Sequence, residues 1–127
     1  MPFRNTASKK LAELFGLLSN PHRVRLVEEL SRKGEMDVNG LEAELGISHS
    51  AVSQHLSLLR AHRIVAERRD GRHVFYRLTQ QKLADWILSG IEFLQKEFEQ
   101  GEPVRVELEQ ARVYWMATAK RPSSKPR

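Results

Sequence analysis

Gly46-Ile47-Ser48-His49-Ser50-Ala51-Val52-Ser53-Gln54-His55-Leu56-Ser57-Leu58-Leu59-Arg60 is the stretch on which the fold of this chain turns. Ile47, Val52, Leu56 and Leu59 recur at helical spacing and mark one buried face. The other side carries Ser48, His49, Ser50, Ser53, Gln54 and Ser57, short uncharged groups that both donate and accept hydrogen bonds. Such a face suits the edge of a base pair, where each donor or acceptor meets a partner. Ser48 is a good N-cap, because its hydroxyl can accept from the free amides of the first turn.

The preceding segment, Met36-Asp37-Val38-Asn39-Gly40-Leu41-Glu42-Ala43-Glu44-Leu45, reads as a short helix. Val38, Leu41 and Leu45 are its apolar positions and Asp37 its N-cap. Gly46 then ends it, since glycine takes a positive φ at low cost. Two short helices joined by Gly-Ile-Ser make a helix-turn-helix, whose second helix enters the major groove of DNA. The alternative is an ordinary helical hairpin with a polar outer face.

Residues 64–78 argue for the first reading. Ile64-Val65-Ala66-Glu67-Arg68-Arg69-Asp70-Gly71-Arg72-His73-Val74-Phe75-Tyr76-Arg77-Leu78 carries a hairpin signal. Asp70-Gly71 supplies two residues that tolerate positive φ in a tight turn. Val74, Tyr76 and Leu78 alternate on the second arm, and Ile64 and Ala66 on the first. Arg68, Arg69, Arg72 and His73 flank the tip. A cationic tip beside a recognition helix is placed to reach phosphates or a minor groove.

The order of helix, helix, helix-turn-helix, basic hairpin and long helix resembles the ArsR (ArsR/SmtB) winged-helix repressors. Ser50 to Arg60 is similar to that family's recognition-helix signature, and Leu18-Ser19-Asn20-Pro21-His22-Arg23-Val24-Arg25-Leu26 to its second-helix start. The resemblance covers about residues 7–100. It implies a winged helix-turn-helix that is mainly α with a small β-hairpin, and a homodimeric bacterial transcriptional repressor. One departure is Arg63, where the family usually has Gly or Asn at the turn into the first wing strand. Arginine is awkward in a left-handed conformation there.

The first helix reads from Ala7 to Leu18, with Thr6 as cap and Leu11, Leu14, Phe15 and Leu18 as its apolar stripe. Asn20 can cap the second helix and Pro21 suits its first position. Val24, Val27 and Leu30 then point inward. Thr79 is expected to cap a long helix from about Gln80 to Gln100. Leu83, Ile87, Gly90, Ile91, Leu94 and Phe98 lie along one side of it, with Trp86 and Phe93 on an adjoining strip. That apolar surface is broad for the last helix of a small domain. Gly90 costs ~1 kcal/mol against alanine inside a helix, which close approach by a partner helix would compensate. The first and fifth helices are therefore read as a dimer interface made of Leu11, Leu14, Phe15, Leu83, Trp86, Ile87, Gly90, Ile91 and Leu94, as the resemblance also implies. The alternative is that both only close the monomer core. Dimerisation would set two recognition helices into successive major grooves about 34 Å apart, on an inverted-repeat operator.

In residues 102–119, Val104, Leu108, Ala111 and Trp115 fit a helix, while Val104, Val106 and Leu108 also fit a short strand. A sixth helix packing on the dimer or a neighbouring subunit is preferred. Residues 120–127 have two prolines and no apolar side chain, and read as a basic disordered tail attracting phosphates nonspecifically. The division expected is a winged-helix DNA-binding and dimerisation domain over 1–101, a helical extension over 102–119, and the tail.

The chain has 127 residues, enough for one core. Its net charge is +5, but Lys120, Arg121, Lys125 and Arg127 account for +4, leaving residues 1–119 near neutral. Local asymmetry is more telling. Residues 60–77 hold six arginines against Glu67 and Asp70, whereas residues 82–100 hold two lysines against Asp85, Glu92, Glu97 and Glu99. A basic DNA side and an acidic dimer side account for that split. With no apolar run of membrane-spanning length and no signal-peptide pattern, a cytoplasmic location is expected.

Many members of the resembled family sense metals. Their thiolate sites need cysteine, and this chain has none. Their other well-known site uses histidines and carboxylates on the long fifth helix, and residues 80–100 hold no histidine. Asp85 and Glu92 alone suit zinc poorly. No metal or other cofactor is expected, a site using His22 or His62 across subunits being the alternative, and the sequence names no effector. No nucleophile–base pair or phosphate loop supports an enzyme. The expected partners are double-stranded DNA and a second copy of the chain. His49, Ser50, Ser53 and Gln54 would read bases, Gln54 bonding adenine through two contacts. Ser48 and Ser57 would bond phosphates or cap the helix. His55 would touch phosphate or pack against the neighbouring helix. Arg60, Arg69 and Arg72, with His73 beside them at the tip, would meet phosphates or the minor groove. A second reading is a winged-helix protein-interaction module without specific DNA binding.

Overall fold

A computed structural model of the chain describes residues 2–97 and 102–119. The elements run α1 (Pro2–Leu17), α2 (Pro21–Lys33), α3 (Val38–Leu45), α4 (His49–Ala61), β1 (Val65–Asp70), β2 (His73–Leu78), α5 (Lys82–Glu97) and α6 (Glu102–Ala119). The two strands pair antiparallel, giving the winged helix-turn-helix.

Local chemistry sets most helix ends. Asn20 accepts from the amides of His22 and Arg23, with Pro21 at the first helical position. Asp37 accepts from the Gly40 amide at 2.8 Å and Ser48 from the Ala51 amide at 3.1 Å. Gly46, at φ 69°, closes α3 by donating to the Glu42 carbonyl at 2.8 Å.

Two expected caps do other work. The first helix starts at Pro2 rather than Ala7, and Thr6 lies inside it with its hydroxyl donating to the Pro2 carbonyl at 3.1 Å. Thr79 does not cap α5, which starts at Lys82. Its hydroxyl donates to the Arg63 carbonyl at 2.7 Å and the Ile64 carbonyl at 3.2 Å. The cause is tertiary: the Thr79 amide already bonds the Ile64 carbonyl at 3.0 Å, which holds the side chain over the α4–β1 junction. The expected end of this helix, residues 98–100, lies outside the described residues, as does the tail over 120–127.

The hairpin differs from expectation in phase and turn. Val65 pairs with Leu78, Glu67 with Tyr76, and Asp70 with His73. The two-residue loop is therefore Gly71-Arg72, and only Gly71 has a positive φ, of 64°. Positive φ at the first central position alone matches a type II′ turn. Val65, not Ala66, is the buried residue of the first arm, at 2% exposed. It shares a face with Tyr76 and Leu78 through the register, while Ile64 reaches the core from the loop before the strand.

The main core joins Leu17, Leu26, Leu30, Leu41, Leu45, Val52, Leu56, Leu59 and Val65 across α1 to β1. Met36 anchors the wing to it: its amide donates to the Tyr76 carbonyl at 3.1 Å and the Tyr76 amide returns to Met36 at 2.8 Å. A second cluster gathers Val27, Ala84 and Trp115. The sixth helix forms, and it packs on α2 and α5 of its own chain, with Trp115 only 3% exposed. The buried Glu29 ties it further, accepting from the Tyr114 hydroxyl at 3.1 Å and facing Arg32 at 3.5 Å.

Candidate nucleic-acid interface

At 100° per residue, Ser50, Ser53, Gln54 and Ser57 fall opposite Val52, Leu56 and Leu59 on α4. The latter three are at most 1% exposed, whereas Ser50, Gln54 and Ser57 are exposed and Ser53 is half-buried. Core burial on one side thus aims the short polar groups at solvent. Ser48 is exposed and caps the helix, and its hydroxyl lies 3.4 Å from that of Ser50.

The two flanks of α4 differ. On one, His49 Nδ1 lies 2.7 Å from a Glu42 carboxylate oxygen, and Arg60 forms an ion pair with Glu67. On the other, the half-buried His55 packs against the start of α2, with its Nδ1 3.3 Å from Arg23 Nη1. Of the two roles open to His55, packing is present in the fold. Burial, then the charges of Arg23 and His22, hold its pKa below the ordinary histidine value.

The C-terminus of α4 answers the question raised by Arg63. Its φ is 62°, the left-handed region. The Arg63 amide donates to the Arg60 carbonyl at 2.9 Å and the Ile64 amide to the Leu59 carbonyl at 2.9 Å. This pair of bonds is a Schellman closure, normally given to glycine. Arginine occupies it at a cost of roughly 1–2 kcal/mol.

On the wing, Arg69 Nη2 stands 3.7 Å from Glu67, which therefore faces both Arg60 and Arg69. Those pairs are exposed on the arginine side and worth ~1 kcal/mol or less, so a DNA phosphate could replace Glu67 as partner. Arg68 instead grips Glu35 through Nε and Nη2 at 2.8–3.2 Å and lies over Phe75. Its hydrogen bonds hold the Glu35 carboxyl below the usual range. Arg72, exposed in the turn, makes no ion pair among the described residues, and His73 lies against Phe75 with ring centroids 6.0 Å apart. Sequence reasoning missed Glu67, Glu42, Glu35 and Arg23. Glu67 shares a strand face with Val65, and alternation alone did not say whether Ile64 or Val65 begins the buried series.

On the other side of the molecule, α1 exposes Leu11 and Phe15, with Leu14 half-buried. α5 exposes Trp86, Phe93 and Leu94. Leu83, Ile87 and Ile91 are half-buried against the Val27–Trp115 cluster, so they offer less area to a partner. Gly90 is exposed, and a Cβ added there would meet nothing within 4 Å of its own chain. Among the described residues no three His, Cys, Asp or Glu side chains gather as metal ligands. No helix among them is long and apolar enough to cross a membrane.

Comparison with known proteins bears on this geometry. The family model for "Bacterial regulatory protein, arsR family" matches residues 20–67, which span α2, the helix-turn-helix and the start of the wing. The transcriptional repressor SmtB homolog of Synechocystis is 37% identical over 89 residues, 70% of this chain and 67% of that one. The biofilm growth-associated repressor of Xylella fastidiosa is 40% identical over 80 residues, covering 63% and 69%. Among solved structures, Rv0081 of M. tuberculosis superposes with a TM-score of 0.64 at 28% identity, over 83% of this chain and 96% of that one. The transcriptional repressor BigR of Xylella fastidiosa does so with a TM-score of 0.61 at 33% identity, over 79% and 98%. Taken with the two-helix unit, the wing and its anchoring, these matches make the chain a winged helix-turn-helix transcriptional regulator of the ArsR family, not an enzyme.

Proposed function

We propose that the chain is a cytoplasmic homodimeric repressor that binds an inverted-repeat operator through α4 and the wing. The observation that carries the reading is the exposed set of Ser50, Gln54 and Ser57, with the half-buried Ser53 beside them, held in place by a fully buried opposite face. In this role His49, Ser50, Ser53 and Gln54 read bases, and Ser48, Ser57, Arg60, Arg69, Arg72 and His73 meet phosphates or the minor groove. The relatives described as repressors support it. Dimerisation rests on the exposed Leu11, Phe15, Trp86 and Leu94, and on the open space over Gly90. Such a patch of large apolar side chains marks an interaction surface.

Selection of bound duplexes from a random pool tests the proposal. The expected result is two inverted half-sites about one helical turn apart. Enrichment of a single asymmetric site, or of none, would overturn it. Affinity for random duplex should meanwhile drop on Arg72→Ala, with the salt slope reduced by about 1. A variant with the wild-type slope would take the wing tip out of the interface.

A further inference from the structure

The flank of α4 that meets α2 carries three basic or titratable side chains. Arg23 Nη1 is 3.3 Å from His55 Nδ1, and the His22 and His55 ring centroids are 5.9 Å apart. Arg23 is steadied from behind, where its Nε donates to the Leu17 carbonyl. A guanidinium can only donate. His55 Nδ1 is therefore the acceptor, and the neutral ring carries its proton on Nε2. The first-turn amides of His22 and Arg23 are taken by Asn20, so what remains to bind is the side-chain cluster, not a free helix end.

Charge compensation separates this flank from the other. His49 faces Glu42 and Arg60 faces Glu67. Among the described residues, no hydrogen bond or ion pair joins His22, Arg23 or His55 to a carboxylate. Position on the helix adds to this. His55 follows Gln54 by 100° around α4, and a strand backbone borders the major groove on each side of a helix seated in it.

We propose that His22, Arg23 and His55 form a binding site for one backbone phosphodiester of the DNA, beside the base-reading face. His55 donates from Nε2, Arg23 orients that ring while supplying charge, and the exposed His22 adds a second imidazole. His55 keeps its bond to Arg23 as a neutral ring, so the positive charge that meets the phosphate comes from Arg23. The groups facing one another here are His22 and Arg23 of α2 and His55 of α4. The inference rests on the DNA-binding reading above.

The test uses the full chain and the duplex that selection enriches, alongside random duplex, titrated over a range of salt. His22→Gln and Arg23→Gln should weaken both duplexes several-fold by a similar factor. Arg23→Gln should lower the salt slope by about 1 and His22→Gln by less, because the two share one phosphodiester, and neither should change the ratio between the duplexes. Imidazole nitrogen spectra of the free protein should show His55 protonated at Nε2. His55→Gln can lose packing, whereas His22 is exposed, so its variant tests the site without that loss. Wild-type affinity in both variants, with a wild-type slope in Arg23→Gln, would overturn the site, as would a change confined to the enriched duplex. Failure of the wild-type chain to bind either duplex would instead remove the DNA-binding reading itself.

Discussion

α4 and α5 both lie at the surface, and they treat solvent in opposite ways. α4 buries Val52, Leu56 and Leu59 completely and turns serines and Gln54 outward. α5 keeps Leu83, Ile87 and Ile91 half-buried and exposes Trp86 at 51%, Phe93 at 55% and Leu94 at 41%. The outer face of α4 is at ease in water, and only a ligand with matching donors and acceptors gains by covering it. The outer face of α5 gains from any apolar cover, at roughly 25 cal/mol for each Å² removed from water. The proposed function assigns discrimination to the first surface and self-association to the second.

The largest effect should come from inverting that contrast in the core. Leu56→Ala removes a fully buried side chain and should cost about 2–5 kcal/mol in urea unfolding at every protein concentration. Trp86→Ala, on the exposed face of α5, should leave dilute protein far closer to wild-type stability than Leu56→Ala does. It should abolish the rise of melting temperature with concentration that a dimer shows. A Trp86→Ala chain as unstable as Leu56→Ala would make this face of α5 part of the monomer core.

Next in size is Gln54→Ala. It should cost ~1–3 kcal/mol against the preferred duplex and relax preference at one base pair, read by repeating the selection with the variant. An unchanged selected sequence would move base reading off the outer face of α4.

A smaller effect lies behind both helices, where α2 meets α6. Burial, and then the neighbouring Glu29, push the Glu28 carboxyl from 4.5 up to about 7. A pKa raised by folding favours the folded chain below about pH 4.5, and that contribution is lost as the pH rises through about 7. Glu28→Gln, neutral throughout, should match the wild type near pH 4.5 and exceed it above pH 7. A gain of about 1–2 kcal/mol is expected once solvent screening is allowed for. Equal pH profiles of melting temperature for the two chains would count against a raised carboxyl at the half-buried Glu28.

The smallest change is at the junction of α4 with the wing. Arg63→Gly relieves left-handed strain of about 1–2 kcal/mol and returns part of it through the looser unfolded chain. A net stabilisation of roughly 0.5–1 kcal/mol should appear in thermal melts. Destabilisation would mean that the arginine side chain holds the turn by contacts of its own.

The helix-turn-helix was legible because its signals are local. Asn20, Asp37 and Ser48 cap helices within three residues of themselves, and Gly46 ends one where it stands. Apolar spacing identified the buried face of α4 for the same reason. The wing was legible as a hairpin but not in its phase. Ile64 and Val65 are both apolar, and alternation alone could not say which of them begins the buried series. Pairing of Val65 with Leu78 decides it. The candidate site followed suit. The outward position of Gln54 came from periodicity. The partners of Arg60, Arg68 and His55 lie 7, 33 and 32 residues away, beyond the reach of any local pattern.

Periodicity, caps and composition alone determined two short helices joined at Gly46, a polar outer face on the second, a basic hairpin after it and the absence of cysteine chemistry, while the winged-helix fold came from the family resemblance. Those properties follow from side-chain spacing and from hydrogen bonds between near neighbours in the chain. Tertiary structure alone decided which arginines are answered by Glu67 and Glu35, where Thr79 spends its hydroxyl, and that α6 rests on α2 and α5. Each of these is a contact between groups distant in sequence, and the competing local partner loses only once the packed core has set their separation in space.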